Sequence, residues 1–149
     1  GLIAALERFG TLYPAHLRRR WLWRLGVAPL DEARDAALIT GCERHMRETG
    51  QSPDAFFYAH RGGRATSAEL QALFADYEAT GPDHDYWHDG APQSMLYDEV
   101  EAIWSAIDRD DDWQPLLDKV AAVRRMGQAH DTPPVPASRG TGDESEKAR

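Results

Sequence analysis

The sequence predicts an all-α domain of about five to six packed helices, with no sheet and with a disordered polar tail. Three observations carry this. Apolar residues recur three and four positions apart in successive stretches, as on the buried face of a helix. Gly, Pro, Ser or Asp stands at the ends of those stretches, where helices start and stop. No segment alternates apolar and polar residues as a half-buried strand does. With 149 residues, 42% hydrophobic, and five Trp, five Tyr and four Phe, the chain can bury the core of one domain.

The first helix is predicted in two parts, residues 2–9 and a stretch reaching about Leu25, broken near Gly10 and Pro14. Leu17, Trp21 and Leu25 recur every four residues with Leu22 beside them. Gly26 suits a C-terminal cap, and Pro29 stands where a helix does not continue. A second helix over 31–49 turns Leu38, Ile39, Cys42 and Met46 inward and closes at Gly50. Ser52, Pro53 and Asp54 read as the cap, first position and dipole-favoured acid of a short aromatic helix. That helix runs to about His60 and ends in Gly62-Gly63.

Ser67 caps a fourth helix, whose Leu70, Leu73, Phe74 and Tyr77 fall at i, i+3, i+4 and i+7. After a polar, turn-rich loop over 81–92, Leu96, Val100, Ile103, Trp104 and Ile107 mark the inward face of a fifth helix. Asp112 caps a sixth, with Leu116, Val120 and Val123 inward and Gly127 at its end. From His130 the composition turns to Pro, Ser, Gly and charge. The helical domain is therefore expected over 1–128, and a disordered tail over 129–149.

The net charge of -8 argues against a general nucleic-acid binder, because duplex affinity rests on cations that neutralise phosphates. No apolar run approaches the roughly 18 to 20 residues that span a bilayer, so no membrane partner is expected. Residues 1–9 lack the basic leader and cleavage site of a signal peptide. The single cysteine, Cys42, has no internal disulfide partner, which suits a reducing, cytoplasmic setting. The chain opens without Met and inside an apparent helix, so a fragment of a longer polypeptide, or a processed or engineered start, is expected. Residues 76–112 hold twelve acids and one base, Arg109, whereas 16–24 hold four arginines and no acid. Opposed patches of this kind either meet inside a fold or face different partners.

Several stretches invite a chemical reading. Asp108, Asp110 and Asp112 resemble the start of a calcium loop. However, Trp113 stands where that loop needs Gly and Lys119 where it needs a bidentate Glu, so an acidic helix-capping turn is the better account. His84, His88 and Asp89 are the densest set of potential metal ligands, and two His four apart share one face of a helix. The flanking Gly81-Pro82 and Gly90-Ala91-Pro92 favour instead a solvated acidic loop with an aromatic anchor. His60, Arg61, Gly62, Gly63 and Arg64 are candidates for wrapping an anion in backbone N–H groups, though a helix C-cap explains the same residues more simply. The Arg18-to-Arg24 run mixes bases with Trp21, on the inward face, and Trp23, off it; a solvated basic face near the acidic stretch is the simpler reading. Cys42 lies on an apolar helix face, where a thiol is inert, and there is neither a Gly-x-Ser-x-Gly elbow nor a phosphate loop. Asp98, Glu99 and Glu101 fall on the outward side of their helix. No complete catalytic site is expected in the chain.

Three blocks taken together resemble the C-terminal region of the selenoprotein O (YdiU) family. They are Phe9 and Tyr13 leading to Arg24-Leu25-Gly26-Val27, then Ser52-Pro53 with Phe56-Phe57-Tyr58 and Arg61-Gly62-Gly63, then Met95 through Asp98-Glu99-Val100-Glu101 to Ile103-Trp104. The last block continues in Asp111-Asp112-Trp113 and Arg125-Met126-Gly127, and the likeness covers about 1–128. The resemblance implies a protein adenylyltransferase with a pseudokinase-like fold, which moves AMP from ATP to protein hydroxyls with Mg or Mn. It also implies that the Lys, Glu, Asn and Asp holding nucleotide and metal precede this region; no residue here matches them. The family's redox-active Cys or selenocysteine has no counterpart, since no Cys follows Gln128. On this reading the chain is an accessory helical portion whose partners are an N-terminal catalytic lobe and, for the whole protein, protein substrates. An exposed apolar patch is then expected. The alternatives are a free-standing acidic interaction module and a small metal-dependent phosphohydrolase around His84, His88 and Asp89.

Overall fold

The computed structural model of the protein describes residues 1–81 and 83–130; the expected tail lies outside the described residues beyond His130. It contains six α-helices: α1 (Leu2–Leu25), α2 (Glu32–Thr49), α3 (Pro53–Ala59), α4 (Ala68–Phe74), α5 (Tyr97–Asp110) and α6 (Gln114–Ala129). Short 3-10 turns at Arg61–Gly63 and Asp85–His88 join them. The described residues hold no strand, and the all-α class is as expected. One antiparallel bridge joins Val27 to Ala79, where the Ala28 N–H donates to Glu78 O and the Thr80 N–H to Gly26 O.

The expected break in the first helix is absent: α1 runs continuously through Gly10 and Pro14. Pro14 withdraws one donor and crowds the Gly10 carbonyl, but Gly10 is exposed, so water serves the freed oxygen. The rest of α1 is rich in Leu, Ala and Arg, which favour helix. Gly26 then ends it in a left-handed conformation (φ 65°), with its N–H turned back to Leu22 and Trp23.

Asp31 caps α2 by accepting from Arg34 N–H, and Ser52 and Ser67 cap α3 and α4 in the same way. Gly41 lets α2 approach α4, since a Cβ there would collide with Leu73. The trailing half of α1 and α2, α3 and α4 enclose the main core of Leu22, Leu25, Val27, Leu38, Cys42, Phe56, Phe57, Leu70 and Phe74. The fourth helix stops at Phe74 instead of carrying on through Tyr77. The chain turns there to bring residues 78–80 onto 26–28, and the Tyr77 hydroxyl donates to buried Asp35 at 3.0 Å.

A second, smaller core joins Tyr86 and Trp87 to Ala129, flanked by Tyr58 and Met126. It explains why α6 runs past Gly127, where a stop was expected: the last turn carries Ala129 into that core. The fifth helix differs from expectation more sharply. It packs against α6, but none of its residues is buried, and Val100 and Trp104 of its intended inward face are exposed. No described helix is long and apolar enough to cross a membrane.

Candidate functional site: the cleft at Arg61

After α3 the Arg61–Gly63 turn reverses the chain, with Gly62 and Gly63 both at positive φ. The Arg61 side chain, 8% exposed, runs inward to the end of α1. Its Nη1 donates to Trp23 O at 2.5 Å and Arg24 O at 3.2 Å, satisfying carbonyls that a helix end leaves open. The guanidinium lies 4.8 Å from the centroid of the Trp87 ring, a cation–π contact. It passes so close to Gly26 and Gly81 that a Cβ at either would come within 2.5 Å of it. Burial pushes the Arg61 pKa down from its ordinary value.

The neighbouring candidates are tied to the backbone as well. Arg64 donates from Nε to Arg61 O and from Nη2 to Tyr58 O. His60 Nδ1 lies 2.7 Å from Arg64 O, so that nitrogen carries the proton and donates. Burial pulls the His60 pKa down, against the opposing pull of the Arg64 carbonyl. The five residues proposed to wrap an anion thus form one capping turn that ties α3 to α1.

That turn faces the 81–89 loop across a cleft of about 270 Å³, lined by Arg61, Gly62, Arg64, Ala79, Thr80, Gly81, Asp83, Trp87 and His88. Two sequence candidates, the Arg-Gly-Gly turn and the His/Asp loop, are therefore brought together. The cleft offers guanidinium groups beside a carboxylate and an imidazole. The loop itself is anchored: the Tyr58 hydroxyl donates to Tyr86 O at 2.9 Å and accepts from Gly90 N–H at 3.0 Å. The Tyr86 hydroxyl accepts from Gln93 N–H at 2.9 Å.

The weak metal candidates are separately engaged. His84 Nδ1 accepts from Tyr86 N–H at 3.0 Å, the Asp89 carboxylate pairs with Arg125 of α6, and His88 lines the cleft. Among the described residues no three His, Cys, Asp or Glu side chains are grouped as metal ligands. Asp108 and Asp110 close α5, Asp111 takes a left-handed conformation beyond it, and Asp112 accepts from Gln114 N–H at the start of α6. Cys42 is fully buried, and burial pushes its thiol up to about 12.

The basic run is less solvated than its sequence suggests. Arg24 pairs with Asp54 at 2.7 Å and stacks on Phe57; Arg18 lies 3.4 Å from Glu32 and 3.7 Å from Asp35. The acids that meet it come from α2 and α3, not from the acidic stretch at 76–112. His130 falls within the expected tail, yet its ring lies between Trp23 and Trp87, 4.9 and 4.8 Å away. Burial, then Arg61 and Arg24, pulls its pKa down to about 4. Buried His130 Nδ1 and Trp87 Nε1 have no partner among the described residues, and both side chains border a cavity of about 30 Å³, room for a water molecule. The one sequence signal for His130 was its position four after Met126, on the inward turn of α6.

No family model matches the chain, and no solved structure matches it. Among curated proteins it is similar to the protein nucleotidyltransferase YdiU of Gloeobacter violaceus, 23% identical over 150 residues. The match takes in 83% of this chain and 31% of that protein, so the chain spans about a third of the relative's length. The relationship to that nucleotidyltransferase is distant and partial.

Proposed function

We propose that the chain is the accessory helical portion of a YdiU-like protein nucleotidyltransferase, and that AMP transfer from ATP to protein hydroxyls takes place on a catalytic lobe outside it. The carrying observation is the match itself, which takes in most of this chain and under a third of the relative. No step of the transfer is assigned to this chain's residues. Its role is mechanical: the Arg61 turn, the 26–28 pairing with 78–80 and the two cores hold a fixed helical body. The open apolar faces of α1 and α5 suit a body that packs against further protein.

Calorimetric titration of the chain with ATP, with and without Mg or Mn, tests the reading. No heat of binding from a folded helical protein is the expected result. Saturable ATP binding would place a nucleotide site within these residues and overturn it.

A further inference from the structure

Arg61 carries a positive charge into the protein, 8% exposed, and among the described residues it enters no ion pair. Arg18, Arg24, Arg34, Arg44 and Arg125 each do. The Nη1 of Arg61 is occupied by Trp23 O and Arg24 O. Those carbonyls end a helix whose dipole amounts to about half a charge, so they offset the guanidinium only in part. The face of Trp87 adds a cation–π contact but no net negative charge. Burial depresses the Arg61 pKa, and no neighbouring acid raises it. A charge buried in this way is costly until a counter-charge pairs with it.

The side edge of the guanidinium is still open. Nε and Nη2 donate to nothing among the described residues, since the hydrogen bonds of this side chain run through Nη1. A Cβ on Gly81 would come 2.5 Å from Nη2, and Gly81 and Arg61 both line the cleft of about 270 Å³. Nε and Nη2 present two parallel N–H groups, the spacing that the two oxygens of one carboxylate match. Gly26 and Trp87 close on the guanidinium, so this edge is fixed before any ligand arrives. The charges lining the cleft, His88 aside, are Arg61 and Arg64 against Asp83, two positive and one negative. That balance suits a monoanion, whereas a phosphate group, at about -1.5 to -2, would bring its second charge against Asp83. We propose that the Arg61 edge of this cleft binds the carboxylate of a small monoanion, held by the side-chain fork and not wrapped by the backbone of the turn. The inference is independent of the nucleotidyl reading: ATP offers a triphosphate and no carboxylate, so the two titrations can fail separately.

The test is a titration of the full chain with sodium acetate, against sodium chloride at equal ionic strength, followed by nitrogen–proton NMR. Acetate should shift the Arg61 Nε–H and the Thr80 and Gly81 amides saturably, and chloride should not. Arg61→Lys keeps the charge but loses the fork, and should weaken acetate binding at least about tenfold. Arg61 also caps α1, so circular dichroism checks that this variant folds, and Asp83→Asn gives a reading that does not depend on it. Asp83 is exposed, and removing its opposing charge should tighten acetate binding about two- to fivefold. Inorganic phosphate should bind the wild type more weakly than acetate does. The absence of a saturable acetate shift, equal shifts with chloride, tighter binding of phosphate than of acetate, or an Asp83→Asn variant that binds acetate no more tightly would each overturn the proposal.

Discussion

His130 shows how one side chain's surroundings set a pH response. Its pKa lies at about 4 in the folded protein, against 6.5 for an ordinary histidine. Between those values the unfolded chain binds a proton that the folded chain does not, so stability rises with pH across the window. The contribution is fully present above pH 6.5 and is lost as the pH falls toward 4. Urea unfolding at pH 7 and pH 4.5 should therefore show a larger acid loss for the wild type than for His130→Phe. Equal losses would assign the effect to other groups; His60 shifts the same way but is shared by both proteins. At this scale the sequence told part of the story. Gly26, Ser52 and Ser67 were legible as caps because capping is a short-range rule. The path of Arg61 was not, because its carbonyl partners lie 37 and 38 residues away.

Among the elements, α1 combines two unlike halves in one helix. The trailing half buries Leu22 and Leu25, while the leading half exposes Leu2, Leu6, Phe9 and Leu12. Pro14 sits between them and denies Gly10 a hydrogen bond. Replacing Pro14 with Ala removes a penalty of up to about 3 kcal/mol in the local helix. Amide exchange should slow within residues 10–18, while the urea midpoint of the whole molecule stays almost unchanged. A parallel rise in that midpoint would show that the leading half belongs to the main cooperative unit. Periodicity and capping signals gave the helices; the limits of α4 and α6 went astray where packing overrode a local signal, and the expected break in α1 is absent because the exposed Gly10 carbonyl tolerates Pro14. Gly127 reads as a stop, but the burial of Ala129 carries α6 onward.

For the whole molecule, the uneven covering of apolar faces is the main feature. Phe56 is fully buried in the main core, whereas Trp104, a larger side chain, is exposed on α5. Phe56→Ala should cost about 3–5 kcal/mol in urea unfolding, and Trp104→Ala less than about 0.5 kcal/mol. A large loss at Trp104 in dilute protein would mean that the α5 face is covered within a single copy. The heptad-like spacing of Val100, Ile103, Trp104 and Ile107 was visible in the sequence. It specifies an apolar face without saying what covers it.

By itself the sequence determined the all-α class and the Ser52 and Ser67 caps of α3 and α4, because helical periodicity and capping depend on residues within a few positions of one another. It also carried, in three short blocks, the likeness to a nucleotidyltransferase family. The tertiary structure alone decided that the Arg-Gly-Gly turn reaches inward to cap α1 and faces the His/Asp loop across a cleft. It likewise decided that Arg24 pairs with Asp54, that His130 closes a second core, and that the apolar face of α5 stays open. Those outcomes depend on contacts between segments distant in the chain, which no local pattern of residues specifies.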